Sequence, residues 1–407
     1  MKQLVTLFVA SAFALGVNAQ GDCTAGRYVT YDLFPGEDVT TGVVFGSNTS
    51  VLGAPQTLRL DVYEPPGDVL AERPVVVVAF GGSFIGGARA DVADLCKLLA
   101  RLGYVAVAPD YRVGFFIPNE LNTTLAVVRS MHDIKGAVRF LRKTYTEDGN
   151  PYRIDPDRII IGGVSAGAIG AVHATYLDEP SEIPAVLNSY IAGLGGVEGN
   201  SGNPGYSSEV LACYSFSGAI GDTLWMQPGD QPLASVHEVG DQVVPYDTQI
   251  ANVVGIPTGL LASGSGDIHK RLDHIGVPNC FLSYPGSGHV GYFTSDQATA
   301  VDHVVQYLAK VVCNEPAGCG TLFASLGEQE RPSELSVWPN PTTGPVSMQV
   351  DRIMDVMLFD AMGRTVRAQR LVPGVNTMDL SDLAPGWYTL RTADGQGRSF
   401  PLVRAAE

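Results

Sequence analysis

Basic residues are in short supply in this chain. Lys and Arg number 26 against 42 Asp and Glu, for a formal net charge of −16. A chain of that sign does not track a phosphate backbone by charge, which argues against nucleic-acid binding. It also offers no basic patch to an anionic lipid surface. Charged residues make up only 17% of the sequence, and Trp occurs 3 times. Beyond the N-terminal segment no apolar run reaches the length of a membrane span, so no transmembrane helix is expected. No Cys-x-x-Cys pair occurs and no His stands at ligand spacing from a cysteine pair, so no metal site is expected. What is present is a 45% hydrophobic content over 407 residues, enough for a large α/β domain with a small companion. The 47 Gly and 26 Pro argue against a helical bundle or coiled coil.

The first residues read as a leader. Lys2 supplies a positive charge, Leu4 to Val17 an apolar stretch, and Val17-Asn18-Ala19 small residues at the positions a signal peptidase reads. A signal peptide over 1–19, cleaved after Ala19, is expected. Export makes the six cysteines candidates for disulfides. Cys313 and Cys319 are placed to close a short loop, or either to join Cys280, and Cys23 is a candidate partner for Cys96. The sequence does not choose among these pairings.

From Thr57 the pattern alternates strand and helix. Thr57 to Tyr63 reads as a half-buried strand, and Pro74 to Phe80, with four consecutive valines, as one covered on both faces. Asp91 to Leu102 and Ala126 to Arg142 have helical spacing, and Tyr104 to Pro109 and Arg158 to Ile161 read as strands. This order implies a mostly parallel sheet flanked by helices. Residues 178–208 are Gly-rich and read as an excursion over the sheet, and Val301 to Val312 as a final helix. Five short strand-like runs between Val346 and Thr392 imply a small all-β sandwich. The expected organisation is a catalytic domain over 20–313, a linker over 314–335 and a sandwich over 336–407.

One segment carries a specific chemical signal. Gly163-Val164-Ser165-Ala166-Gly167 follows a predicted strand and precedes a helical run, the setting in which G-x-S-x-G presents a serine on a sharp strand-to-helix turn. A serine hydroxyl needs a base, and the base needs a carboxylate to fix its tautomer. His289, in Gly286-Ser-Gly-His-Val-Gly, stands on a loop after the strand Cys280 to Tyr284. Asp241 follows the apolar run Leu233 to Val236. The order Ser165, Asp241, His289 fits this class of sheet, with each residue just beyond a strand. His237 is a rival base, though placed for strand packing. Glu238, Asp222 and Asp247 are rival acids. His132 reads as part of a surface-type helix, and His173, His269, His274 and His303 as packing or solvent-facing residues. An oxyanion would need backbone donors, and the loop Phe80-Gly81-Gly82-Ser83-Phe84 supplies them. The N–H groups of Gly82 and Ser83, with that of Ala166, are the expected donors, and Gly81 is a substitute.

Together these residues resemble the α/β-hydrolase family, in its carboxylesterase and hormone-sensitive-lipase-like branches, over roughly Val43 to Val312. The motifs are Phe-Gly-Gly-Ser-Phe at 80–84, Asp110-Tyr-Arg, Gly-Val-Ser-Ala-Gly at 163–167, Asp241-Gln-Val-Val-Pro-Tyr and Gly288-His-Val. The resemblance implies ester hydrolysis through an acyl-enzyme without a cofactor. Phe80 and Ser83 replace the first and last residues of the usual His-Gly-Gly-Gly. Val337-Trp-Pro-Asn-Pro-Thr-Thr-Gly, Leu358-Phe-Asp-Ala-Met-Gly-Arg and Leu383-Ala-Pro-Gly-Trp-Tyr-Thr-Leu-Arg resemble the sorting domain of type IX secretion substrates. That implies the type IX machinery as partner and a secreted or cell-surface location. The expected function is a secreted serine carboxylesterase acting on small or polymer-displayed esters: acetylated or feruloylated polysaccharide, or polyester. A prolyl-type serine peptidase and a non-catalytic surface protein are the alternatives.

Overall fold

The structure, a computed structural model, describes residues 22–23, 26–115, 117–253, 255–321, 335–350, 353–360, 364–392 and 399–405. The expected leader, and residues 322–334 of the expected linker, lie outside the described residues. The chain divides into two compact units, Met1–Leu322 and Phe323–Glu407.

The first unit begins with an antiparallel pair, β1 (Asp38–Thr49) and β2 (Pro55–Glu64). The valine run forms β3 (Arg73–Ala79), buried along its whole length, as a β-branched segment covered on both faces should be. Helix α1 (Ala93–Arg101) ends before Gly103, whose positive φ lets the chain turn into β4 (Val105–Pro109). Helix α2 (Glu120–Glu147) is longer than its periodicity predicts, because the Asn119 side chain caps its N-terminus by accepting from the Asn122 N–H. Next come β5 (Ile154–Val164), α3 (Ala166–Tyr176), the short α4 (Asn188–Gly193) inside the 178–208 excursion, and β6 (Ala212–Phe216). β7 (Ala219–Ile220), β8 (Leu233–Glu238), β9 (Thr248–Val253), β10 (Ile256–Gly264), α5 (Ser265–Ile275), β11 (Asn279–Tyr284), α6 (Tyr292–Ser295) and α7 (Gln297–Val312) complete the unit.

The main sheet has eight strands in the order β1-β2-β4-β3-β5-β6-β8-β11. From β4 to β11 every pairing is parallel. The fold class read from the alternating pattern therefore holds. A second, antiparallel sheet, β7-β10-β9, was not legible in the sequence.

Two expectations are corrected here. His132 is not on a surface face: both it and Asp133 are fully buried on α2. The 195–208 loop covers that face, with the His132 Nε2–H donating to the Gly196 carbonyl at 2.7 Å and Arg112 paired to Asp133 at 2.9 Å. Burial pushes the His132 imidazole down to about 3. Cys23 pairs not with Cys96 but with Cys313, at the end of α7, while Cys280 pairs with Cys319. Cys96 and Cys213 are buried free thiols, Cys96 on the face of α1 turned to the sheet.

The second unit packs two antiparallel sheets on one core. Strands β12 (Leu335–Trp338), β13 (Val346–Val350), β14 (Met354–Phe359), β15 (Thr365–Leu371), β16 (Gly374–Met378), β17 (Gly386–Thr392) and β18 (Ser399–Arg404) form sheets ordered β12-β13-β16 and β15-β14-β17-β18. Val346, Met348 and Val350 from one sheet meet Val356, Leu358, Leu390 and Leu402 from the other. The edge strands β12 and β18 add to the five runs read from the sequence. Among the described residues no helix is long and apolar enough to cross a membrane.

Candidate active site

Ser165 stands between β5 and α3 with φ 54° and ψ −119°, a strained turn for a non-glycine residue. Its N–H donates to the Phe216 carbonyl at 2.8 Å, tying the turn to the neighbouring strand. The flanking glycines are a steric requirement. A Cβ on Gly163 or on Gly167 would lie 2.3 Å from the Ala79 carbonyl oxygen, at the end of β3. Small residues at both places let β3 pass under the turn and leave the hydroxyl standing clear of the sheet.

Asp241 lies just beyond β8 and His289 on the loop beyond β11, so both leave the sheet at the same end as Ser165. His289 Nδ1 is 2.7 Å from Asp241 Oδ2, and its Nε2 is 2.8 Å from Ser165 Oγ. An ionised carboxylate only accepts, so Nδ1 carries the hydrogen, Nε2 is left as acceptor, and the Ser165 hydroxyl donates to it. The three side chains predicted from sequence order thus form one hydrogen-bonded chain.

The Asp241 carboxylate has every lone-pair direction used. Oδ1 accepts the N–H groups of Val243 at 2.8 Å and Val244 at 3.0 Å. Oδ2 faces His289 on one side and His237 Nε2, at 3.4 Å, on the other. Burial by itself would raise the carboxyl pKa, but hydrogen bonds from His237 and His289 outweigh it and hold the group well below the usual carboxylate range. His237 is fully buried. Its Nε2–H also donates to the Val244 carbonyl at 3.2 Å, and its Nδ1 accepts from the Ser265 hydroxyl at 2.8 Å. It touches the acid and not the serine. The His237–Asp241 spacing was the signal that could have revealed this partnership.

The rival acids stand elsewhere. Glu238 accepts the Gly291 N–H at 2.9 Å, Asp222 caps a short turn through the Leu224 N–H at 2.9 Å, and Asp247 pairs with Lys270 at 3.1 Å. His173 packs edge-on against Trp225, and His269 stacks on Phe281.

Ser83, Ser165 and Ala166 line one cavity of about 720 Å³, walled by Ile169, Leu187, Tyr190, Val244 and Leu260 among others. The 178–208 excursion and the β7-β10-β9 sheet supply much of that apolar wall. Gly82 and Gly81 border a different cleft, of about 1390 Å³, together with Val164, Leu98 and Phe293. Of the three expected donors, then, Ser83 and Ala166 share the serine's cavity and Gly82 flanks it. The Ala166 N–H opens α3, where backbone donors have no intrahelical acceptor. The loop is shaped without the usual histidine. Phe80 stacks on Tyr111 at 4.1 Å between centroids, and the Tyr111 hydroxyl donates to the Phe80 carbonyl at 2.8 Å. Gly82, with φ 124°, accepts from the Ile85 N–H at 3.0 Å to close the turn.

Residues 60–194 match the family model described as BD-FAE, an α/β-hydrolase esterase family. The larger unit has the mostly parallel, helix-flanked sheet of the α/β-hydrolase fold. Residues 336–400 match the secretion system C-terminal sorting domain. The chain thus pairs a region similar to that esterase family with a region similar to a secretion sorting domain. No curated protein matches the chain. Among solved structures, a thermophilic esterase from the Planctomycetes species Thermogutta terrifontis, with propionate bound, is 20% identical over 68% of this chain and 95% of that one, with a TM-score of 0.47. Thermogutta terrifontis esterase 2 phosphorylated by paraoxon is also 20% identical, over 68% of this chain and 94% of that one, at a TM-score of 0.47.

Proposed function

We propose that this chain is a secreted serine carboxylesterase that hydrolyses carboxylic esters through an acyl-enzyme. The observation that carries the reading is the hydrogen-bonded chain from Ser165 through His289 to Asp241 at the wall of an apolar cavity. Ser165 Oγ attacks the ester carbonyl carbon as His289 Nε2 takes its proton. Asp241 holds the Nδ1–H tautomer and stabilises the imidazolium. The N–H groups of Ser83 and Ala166, with Gly82 beside them, donate to the oxyanion. Collapse expels the alcohol, which takes the proton from His289. Water then repeats the sequence on the acyl-enzyme and releases the acid. The residues present supply the nucleophile, base and oxyanion donors, so the reaction as written draws on no cofactor. The cavity volume supports acyl groups larger than acetyl. Substrates are small esters or esters displayed on polymers, with acetylated or feruloylated polysaccharide and polyester as the classes to test.

The test is a turnover series with the mature protein and Ser165→Ala, on p-nitrophenyl esters from acetate to laurate and on methyl ferulate. Serine-dependent turnover is expected on several of them. No turnover on any ester would transfer the reading to the peptidase or the non-catalytic protein. The same reading assigns 1–19 as a cleaved leader, 20–313 as the catalytic domain, 314–335 as a linker, and 336–407 as the segment that the type IX machinery takes up. Deleting residues from 336 onward is expected to block export and leave specific activity intact. Loss of activity in a folded truncation would instead make that segment a substrate-binding module.

A further inference from the structure

A carboxylate that the hydrogen-bonded chain does not use lies directly beneath the loop that carries His289. Glu238 is the last residue of β8 and is 7% exposed. A buried carboxylate is costly to keep unless its partners compensate it. Among the described residues its side chain has one hydrogen bond, from the Gly291 N–H at 2.9 Å. What surrounds it is the glycine pattern of the base loop. A Cβ on Gly286 would lie 3.0 Å from Glu238 Oε1, one on Gly288 would lie 3.1 Å from both carboxylate oxygens, and one on Gly291 would lie 2.8 Å from Oε1. At each of these three positions the three nearest atoms all belong to Glu238. The backbone conformation does not demand glycine at any of them, since none has a positive φ. A side chain at any of these places would crowd this carboxylate. The same residue also reaches the acid, for its main-chain carbonyl accepts the Asp241 N–H at 3.2 Å. The two turns touch directly as well, through the Gly240 N–H to the Gly286 carbonyl at 2.7 Å.

We infer that Glu238 is a positioning residue, the post on which the Gly286–Gly291 loop is moulded so that His289 Nε2 stays within reach of Ser165. This rests on the acyl-transfer reading of Ser165, Asp241 and His289. It acts through His289 and touches neither serine nor substrate, so its removal should slow the chemical step without weakening substrate binding. Misplacing a reacting group by about 1 Å costs on the order of 100-fold in rate.

The experiment uses the full chain and p-nitrophenyl butyrate, with Glu238→Ala, Glu238→Gln, Gly291→Ala and the double variant Glu238→Ala/Gly291→Ala. Glu238→Ala should lower kcat by about 10- to 100-fold with KM within about twofold of wild type. Glu238→Gln keeps an acceptor for the Gly291 N–H and should recover most of that loss. Gly291→Ala should slow the enzyme in the wild-type background, because its methyl group displaces the carboxylate. It should have little further effect once Glu238→Ala has emptied the space. Such non-additivity is what a shared contact produces, and a general loss of stability would not produce it. If Glu238→Ala does not fold, Gly291→Ala and Glu238→Gln still test the idea. Wild-type kcat in Glu238→Ala or in Gly291→Ala, or additive losses in the double variant, would overturn the inference. If instead wild type and Ser165→Ala turn over esters equally, it is the acyl-transfer reading that has failed.

Discussion

Around Ser165 the groups that fix the nucleophile are main-chain atoms and missing side chains, whereas around Asp241 and His289 buried ionisable side chains share that task with main-chain N–H groups. The elbow is set by the Ala79 carbonyl pressing against Gly163 and Gly167 and by the Phe216 carbonyl holding the Ser165 N–H. The acid is set by His237 and His289 on one oxygen and two backbone N–H groups on the other. The base loop is set by Glu238. The first half is a packing problem and should respond to volume. The second is an electrostatic problem and should respond to charge and to hydrogen-bond polarity.

The sharpest way to test this division is to change polarity on the acid side without changing shape. Asp241→Asn keeps the volume but presents an amide N–H to His289, so the imidazole turns to the tautomer with hydrogen on Nε2. That nitrogen then cannot accept the Ser165 proton. A loss of about 10³- to 10⁴-fold in kcat is expected. A loss below tenfold would mean that the acid side is not organised by hydrogen-bond polarity. The complementary change adds one methyl group on the elbow side. Gly167→Ala places a Cβ 2.3 Å from the Ala79 oxygen and 2.4 Å from the Phe80 oxygen, both main-chain atoms of a buried strand end that cannot swing aside. Overpacking of this kind should cost about 3 kcal/mol, read by urea unfolding. An unfolding midpoint equal to wild type would refute the steric account of the elbow.

The same division explains what the sequence could reveal. The elbow was legible because it is local: two small residues spaced four apart around a serine, after an apolar strand and before a helix. The chain order of Ser165, Asp241 and His289 was legible because parallel strands all release their loops at one end of the sheet. The role of Glu238 was not legible, since it arises only when β8 and β11 lie side by side and bring residues about fifty positions apart into contact, whereas that of His237 is carried by its four-residue spacing from Asp241. His132 was misread for a related reason. Its helix has a polar face, and only the returning 195–208 loop makes that face interior. The Cys23–Cys313 bridge joins positions 290 residues apart, a closeness that no local pattern encodes.

A buried histidine on the elbow side offers a way to break the comparison, because it puts a titrating group where packing is expected to rule. His173 lies on α3, with Nδ1–H donating to the Ile169 carbonyl at 2.8 Å and Nε2 accepting the Gly221 N–H at 3.1 Å. Both nitrogens are committed to the neutral ring, and burial pushes its pKa down from 6.5 to about 4. Above pH 6.5 the ring is neutral in both folded and unfolded chains and contributes no pH dependence. Between 6.5 and 4 only the unfolded chain takes up the proton, so stability falls as pH falls through that window. At pH 5 the penalty from this one residue is about 2 kcal/mol relative to pH 7. Asp241, held low, stays ionised when folded across the same window and titrates in the unfolded chain only toward its lower end. Unfolding free energies at pH 7 and pH 5 should therefore differ less in His173→Gln than in wild type, by about 2 kcal/mol. An unchanged difference would place the acid sensitivity of this fold in other buried histidines, such as His132 and His269, and leave the elbow side governed by volume alone.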